Sequence, residues 1–243
     1  PLRLDGPLTL VSFGDYGAAT PAERAVGALA ARLRPRLLVT TGDNSYLLAL
    51  EELLDRNIFV PLRAAMAGAP NVAIVGDHDL VAPGGRRALV RALDLPGAGE
   101  RYDLRYGPVQ VIGLGLRSDP GDVPFTRRAL ARPGPAVRLV TVHRPLKSGD
   151  PLLPVLRGRA DAVLSGHLHA YERRVVGGVL TFTVGTGGAP ATPGQTPRSP
   201  DALVYLNTPG LLRIDLAPGR ARYRFLDVRG HVLDAVRRPL PSR

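Results

Sequence analysis

The 243-residue chain contains no cysteine. Disulfides and thiolate metal sites are therefore excluded. A bound metal would need oxygen and imidazole donors, which suit Fe(III), Mn, Zn or Mg. The same absence leaves the redox compartment open. No run of about 18 apolar residues occurs, so membrane insertion is not expected. No signal peptide is visible, and the chain starts at Pro1, which is compatible with an upstream segment having been removed. Lysine is nearly absent as well: Lys147 is the single lysine among 32 basic residues. The formal net charge is +11, which favours anionic partners in general. Aromatics make up only 5% of the chain, and no arginine block carries interleaved aromatics. Nucleic acid is therefore not an expected partner, and the scattered arginines read as a solvated basic surface.

A chain of this length can bury about 70% or more of its unfolded surface without a covalent staple. Its first half alternates short apolar runs with helical patterns. Strands are predicted over 8–13, 37–41 and 71–75, with helices between them over 48–67 and from Thr20 to just before Pro35. Thr20, Pro21 and Glu23 read as a capping box with proline at the first helical position. A short helix is expected over 86–93. The later pattern is richer in strand: 102–106, 109–114, 137–142, 162–164, 172–176, 179–184, 211–216, 221–226 and 231–235, with helices near 125–131 and 152–156. Residues 186–200 are rich in glycine, proline and threonine and read as a long loop, a candidate wall of a binding pocket. No linker or repeat divides the chain. One α/β (α+β) domain over 1–243, with a mixed, two-layered sheet system, is the expected organisation.

The polar residues at the predicted strand ends carry the functional signal. Asp15 follows the first strand and Asp43 the second. Asp77, His78 and Asp79 follow the third. His143 follows a later strand, and His167 and His169 another. The chain has only five histidines, and His231 alone lies outside these ends. Ligands bind beyond the carboxyl ends of strands in α/β sheets. His167 and His169 are two residues apart, a spacing that puts both on one side of an extended strand. Singly, each residue has an ordinary reading: Asp15 and Asp43 as turn residues beside glycine, His78 as part of a hydrogen-bonded triad, His143 as a polar residue before Pro145. Together, converging carboxylates and imidazoles would repel or desolvate badly without cations. Two ions about 3.5–4 Å apart would resolve this and clamp a phosphoryl group.

Five blocks carry a family resemblance. They are Gly14-Asp15-Tyr16-Gly17, Gly42-Asp43-Asn44-Ser45-Tyr46, Gly76-Asp77-His78-Asp79, Val142-His143-Arg144-Pro145 and Gly166-His167-Leu168-His169-Ala170-Tyr171-Glu172-Arg173. Their order and spacing resemble the calcineurin-like metallophosphoesterases, most narrowly the purple acid phosphatases. The resemblance implies the metallo-dependent phosphatase fold, a four-layer αββα sandwich of two mixed β-sheets. It implies a phosphomonoesterase that uses a metal-bound hydroxide on a small phosphorylated substrate. A phosphodiesterase or nucleotidase on the same centre is the alternative. Asp15, Tyr46 and His169 would bind the first metal, Fe(III). Asp43 would bridge, and Asp77, His143 and His167 would hold a second ion, Fe, Zn or Mn. Tyr46 also has the plain reading of a packed aromatic. His78 would act on the phosphoryl or leaving-group oxygen, with Asp79 orienting it.

The family places asparagine where this chain has Asp77. An aspartate there keeps an oxygen ligand but adds negative charge, which would tighten a divalent cation and weaken attraction for phosphate. A non-catalytic member disabled at this position is the remaining alternative. The length leaves no room within these residues for the N-terminal β-domain of the plant-type enzymes. The family also implies a secreted or extracytoplasmic location. Oligomeric state is left open.

Overall fold

The computed structural model describes residues 6–99, 101–116, 118–190 and 198–240. Among these described residues, thirteen strands, numbered in chain order, form two mixed sheets. In the first sheet, β1 (Leu8–Phe13), β2 (Leu37–Thr40) and β3 (Asn71–Ala73) run parallel. β11 (Gly210–Ala217), β12 (Arg220–Asp227) and β13 (Val232–Pro239) extend it antiparallel from β1. The second sheet has the order β10-β8-β9-β7-β6-β5-β4. These strands are β4 (Tyr102–Tyr106), β5 (Val109–Gly113), β6 (Val137–Thr141), β7 (Ala162–Ser165), β8 (Tyr171–Val176), β9 (Val179–Val184) and β10 (Val204–Leu206). Its centre, β5-β6-β7-β9, is parallel.

Period-two alternation sorts the strand residues into layers. Leu10, Leu37, Val39 and Val72 meet Val111, Leu139, Leu164 and Phe182 in one core between the sheets. Their chain neighbours Val11, Leu38 and Ala73 face the opposite way, onto helices. Those helices are α1 (Pro21–Arg32), α2 (Glu51–Leu54), α3 (Val60–Gly68) and α4 (Gly85–Leu93). On the second sheet, Ile112, Val140 and Val163 pack outward with α5 (Asp122–Ala131) and α6 (Leu153–Leu156). The result is the expected four-layer arrangement. Tyr171 stacks on Phe225 at 4.2 Å and Phe182 on Tyr223 at 4.9 Å, locking the two sheets together with flat rings. No helix among the described residues is long and apolar enough to cross a membrane.

Two local features depart from the sequence expectation. The helix expected over 48–67 is broken by a π turn, Asp55–Phe59. Pro61 has no N–H to return to the carbonyl four residues back, and the preceding turn widens. The short edge strand β10 follows the long loop and has too little periodicity to be read from sequence.

α1 begins as expected. The Thr20 side chain accepts a hydrogen bond from the Glu23 N–H at 3.0 Å and donates to the Gly188 carbonyl at 2.7 Å. Glu23 is buried, and its carboxylate accepts from the Ala18 N–H at 3.1 Å. Burial pushes the Glu23 carboxyl up to about 8, against the hydrogen bonds from nearby backbone N–H groups. The folded chain therefore keeps a proton there that the unfolded chain loses near pH 4. Stability from this site is full below the unfolded pKa and falls as the pH rises through about 8. Glu23→Gln should melt with the wild type at low pH and at least about 5 °C higher at pH 9. A melting-temperature difference that does not change with pH would contradict this.

Candidate metal centre

The parallel strands of both sheets end at one edge, and the strand-end residues meet there in two groups. Asp15, Asp43 and His169 form one, and Asp77, His143 and His167 the other, each with its ligand atoms within 4.8 Å of one another. Tyr46 joins the first: its phenol oxygen lies 2.7 Å from Asp43 Oδ2, 3.0 Å from His169 Nε2 and 3.3 Å from Asp15 Oδ1. In the second, Asp77 Oδ1 lies 2.7 Å from His143 Nε2 and 3.1 Å from His167 Nδ1. Asp43 reaches both, because its other oxygen lies 3.5 Å from His143 Nε2.

The backbone aims these groups. Asp15, Asp43 and His167 all adopt left-handed conformations, with φ of 56°, 50° and 69°. Each costs about 1 kcal/mol or more in an L-residue, and such strain is held only where the surroundings over-determine it. The Asp15 N–H donates to the Gly42 carbonyl at 3.0 Å, and the Tyr16 N–H to the Asp43 carbonyl at 3.2 Å, bracing the first two loops against each other. The His167 N–H donates to both oxygens of Asp15, at 2.9 and 3.0 Å. A methyl group at Gly166 would run into the Asp15 carboxylate, and one at Gly76 into Asp43. The two histidines therefore separate through a left-handed turn at His167. Strand alternation, the sequence-level argument, does not place them, because β7 has already ended at Ser165.

Imidazole geometry fits cation binding. His143 Nδ1 lies 2.8 Å from the Thr41 carbonyl, and His169 Nδ1 lies 2.9 Å from the Pro190 carbonyl. A carbonyl can only accept, so each Nδ1 carries the proton and each Nε2 turns into the cleft, an orientation typical of metal-ligating histidines. Burial lowers the His143 pKa, but the Asp77 hydrogen bond and the Asp15 and Asp43 charges outweigh it and raise it to about 9. A proton on Nε2 thus supplies positive charge among the carboxylates. Burial, with the nearby Asp43 charge, pushes the Asp15 carboxyl well up. The Tyr46 phenol is likewise pushed up by burial and by Asp15 and Asp43. Burial would raise Asp77 too, but hydrogen bonds from His143 and His167 hold it far below the usual carboxylate range. The raised values of Asp15, Tyr46 and His143 reflect negative charge crowded into a site with little water, and the lowered Asp77 reflects the two imidazoles that donate to it. The donor set, oxygen and imidazole nitrogen in two adjacent groups, fits a pair of hard or borderline cations.

His78 sits at the rim, its ring 4.3 Å from that of Tyr46, and its Nδ1 lies 3.4 Å from the Leu47 carbonyl. Asp79 corrects the expectation that it orients His78. Its buried carboxylate accepts from the backbone N–H groups of Asn44 (2.8 Å), Ser45 (3.1 Å) and Gly76 (2.8 Å), and from Asn44 Nδ2 at 2.7 Å. It staples the second and third loops together. Burial and the Asp43 charge raise its pKa to about 7 despite these bonds.

The sequence assigns no role to three supporting residues. Asn44 donates to the Ile74 carbonyl at 2.8 Å and accepts from the Tyr16 hydroxyl at 2.6 Å. Asn57, in the π turn, donates to the Tyr46 carbonyl at 2.8 Å. Its placement beside Leu54 and Ile58, on the buried face of a helix, was the available signal. Arg144 contacts Asp77 at 3.2 Å.

The Tyr-Glu-Arg ending of the fifth block is scaffold. Tyr171 and Arg173 bind Asp234, each at 2.7 Å, and Glu172 accepts from the Ser199 N–H and hydroxyl, each at 2.7 Å. Of the candidate pocket loop, 191–197 lie outside the described residues. Thr186, Gly188, Ala189 and Pro190 line a cavity of about 430 Å³ with His169 and the start of α1.

Asp79→Ala would strand three buried backbone donors. It should cost about 3 kcal/mol or more, lowering the melting temperature by roughly 6–12 °C with no substrate present. An unchanged melting temperature would contradict the staple.

No family model matches the sequence, and no curated protein does. Among solved structures, the chain is similar to GAP50, the anchor in the inner membrane complex of Plasmodium. The TM-score is 0.81 at 14% identity, over 98% of this chain and 90% of that one. It is similar to a purple acid phosphatase from yellow lupin (Lupinus luteus) seeds, with TM-score 0.76 and 16% identity, over 95% of this chain and 53% of the lupin chain. It therefore spans about half the length of the lupin protein. A dimetal phosphatase from Danio rerio matches with TM-score 0.63 and 13% identity, over 98% of this chain and 100% of that one. At these identities the likeness is one of fold: the chain has the calcineurin-like metallophosphoesterase fold.

Proposed function

We propose that this chain is a binuclear metal-dependent phosphoester hydrolase of purple acid phosphatase type, acting on small phosphomonoesters. The observation that carries this reading is the placement of Asp43. One of its oxygens meets Tyr46 in the first donor group and the other faces His143 in the second. A carboxylate so placed can bridge two cations. Asp15, Tyr46 and His169 complete the first site, and Asp77, His143 and His167 the second. Tyr46 favours Fe(III) at its site, because a phenolate is a hard anionic ligand. Fe, Zn or Mn suits the other.

A bound cation pair would neutralise phosphoryl oxygens and supply an activated water at neutral pH. The chain's own residues do the rest. The Nδ1–H bonds of His143 and His169 to carbonyls hold both rings in one orientation. The Asp79 staple fixes the loops that carry Asp43 and Asp77. His78, at the rim beside Tyr46, would hold or donate a proton at a phosphoryl or leaving-group oxygen.

A non-catalytic reading takes its support from the Plasmodium protein of this fold, which is an anchor. It expects bound cations without turnover.

Protein reconstituted with iron and zinc or manganese should hydrolyse an aryl phosphate monoester at least about tenfold faster than a bis-aryl diester. It should also show a visible tyrosinate band that Tyr46→Phe abolishes. A colourless, active protein holding only manganese or zinc would contradict the Fe(III) assignment. A preference for the diester would favour the phosphodiesterase alternative. Two bound cations without turnover would establish the non-catalytic role.

A further inference from the structure

The centre gathers three carboxylates, Asp15, Asp43 and Asp77, into its two donor groups. A phosphoryl dianion must enter beside them. The two oxygens of Asp77 have different partners. Oδ1 is taken up by His143 and His167, at 2.7 and 3.1 Å. Oδ2 points the other way and accepts from the Arg144 guanidinium at 3.2 Å.

Arg144 is held in place by its backbone. Its N–H donates to the Leu116 carbonyl, and the His143 N–H to the Gly115 carbonyl, each at 2.8 Å. The stem is buried to the point that Nε has no hydrogen-bond partner among the described residues. The side chain as a whole remains 39% exposed, and that of Asp77 30%. A guanidinium thus stands at the open edge of the second donor group with donors to spare.

We propose that Arg144 is the fixed countercharge of Asp77, and that the two act as one neutral unit which lets the centre accept a phosphate dianion. Arg144 is a positioning residue here: it acts through Asp77 by cancelling a charge that would otherwise face the substrate. Asp77 then serves the second cation through Oδ1 without repelling the phosphoryl group. Asp77 does not disable the site on this account, because the charge it adds is offset within the chain. The inference rests on the metal reading of the centre given above.

The test is a double-mutant cycle on the manganese-loaded protein. Inorganic phosphate affinity is measured by titration calorimetry, with metal content determined on the same samples. Arg144→Met leaves Asp77 uncompensated a few ångströms from the anion and should weaken phosphate binding about tenfold or more. Asp77→Asn with Arg144→Met removes both charges and should return affinity to within about threefold of the wild type. Arg144→Lys keeps the charge and should stay near wild type, which separates charge from packing if the methionine variant folds poorly.

Wild-type affinity in Arg144→Met, or a double variant as weak as Arg144→Met, would overturn the proposal while leaving the metal reading intact. A wild-type protein that takes up no manganese would overturn the metal reading, and this inference with it.

Discussion

Carboxylates do not gather in a buried cleft without positive charge to meet them. Asp15 and Asp43 are almost wholly buried, a short distance from the partly exposed Asp77. The local structure can be read as the arrangement that makes this tolerable. His143 holds a proton between the carboxylates, three αL residues aim side chains inward, and glycines at 76 and 166 let the loops close on the carboxyl groups. Such strain and desolvation make sense if cations complete the site, since the protein alone compensates the charge only in part.

The scaffold supplies rigidity from two directions. The core between the sheets fixes where the parallel strands end, and those ends carry the two groups of carboxylates and imidazoles that could hold metal ions. A second set of polar residues fixes the loops beyond the strands. Asp79 ties three backbone amides, Asn57 reaches across from a π turn to the Tyr46 carbonyl, and Thr20 pins the start of α1 to Gly188. Glu172 holds Ser199, where the loop beyond β9 rejoins the described chain. Sites supported in this way are held to within fractions of an ångström, which oriented catalysis requires.

Much of this was legible in sequence because the period-two runs are strong and end in distinctive residues. β1 has the bounds that its apolar run predicts, and the strand-end residues lie beside one another as their positions imply. What escaped depends on distance along the chain. Asp79 looked like the partner of its neighbour His78, yet its partners include Asn44 and Ser45, about 35 residues away. The resemblance already assigns His167 and His169 to different ions, but not the positive φ at His167 that turns them to different groups. Arg144 stands in the fourth block beside His143, but nothing local marks it as paired, and only the fold brings it to Asp77.

The most direct test of the central claim is anomalous diffraction from a crystal of the metal-loaded protein. The account predicts two anomalous peaks about 3.5–4 Å apart, with Asp43 between them, Asp15, Tyr46 and His169 beside one, and Asp77, His143 and His167 beside the other. A single peak, or two peaks that do not share Asp43, would contradict it.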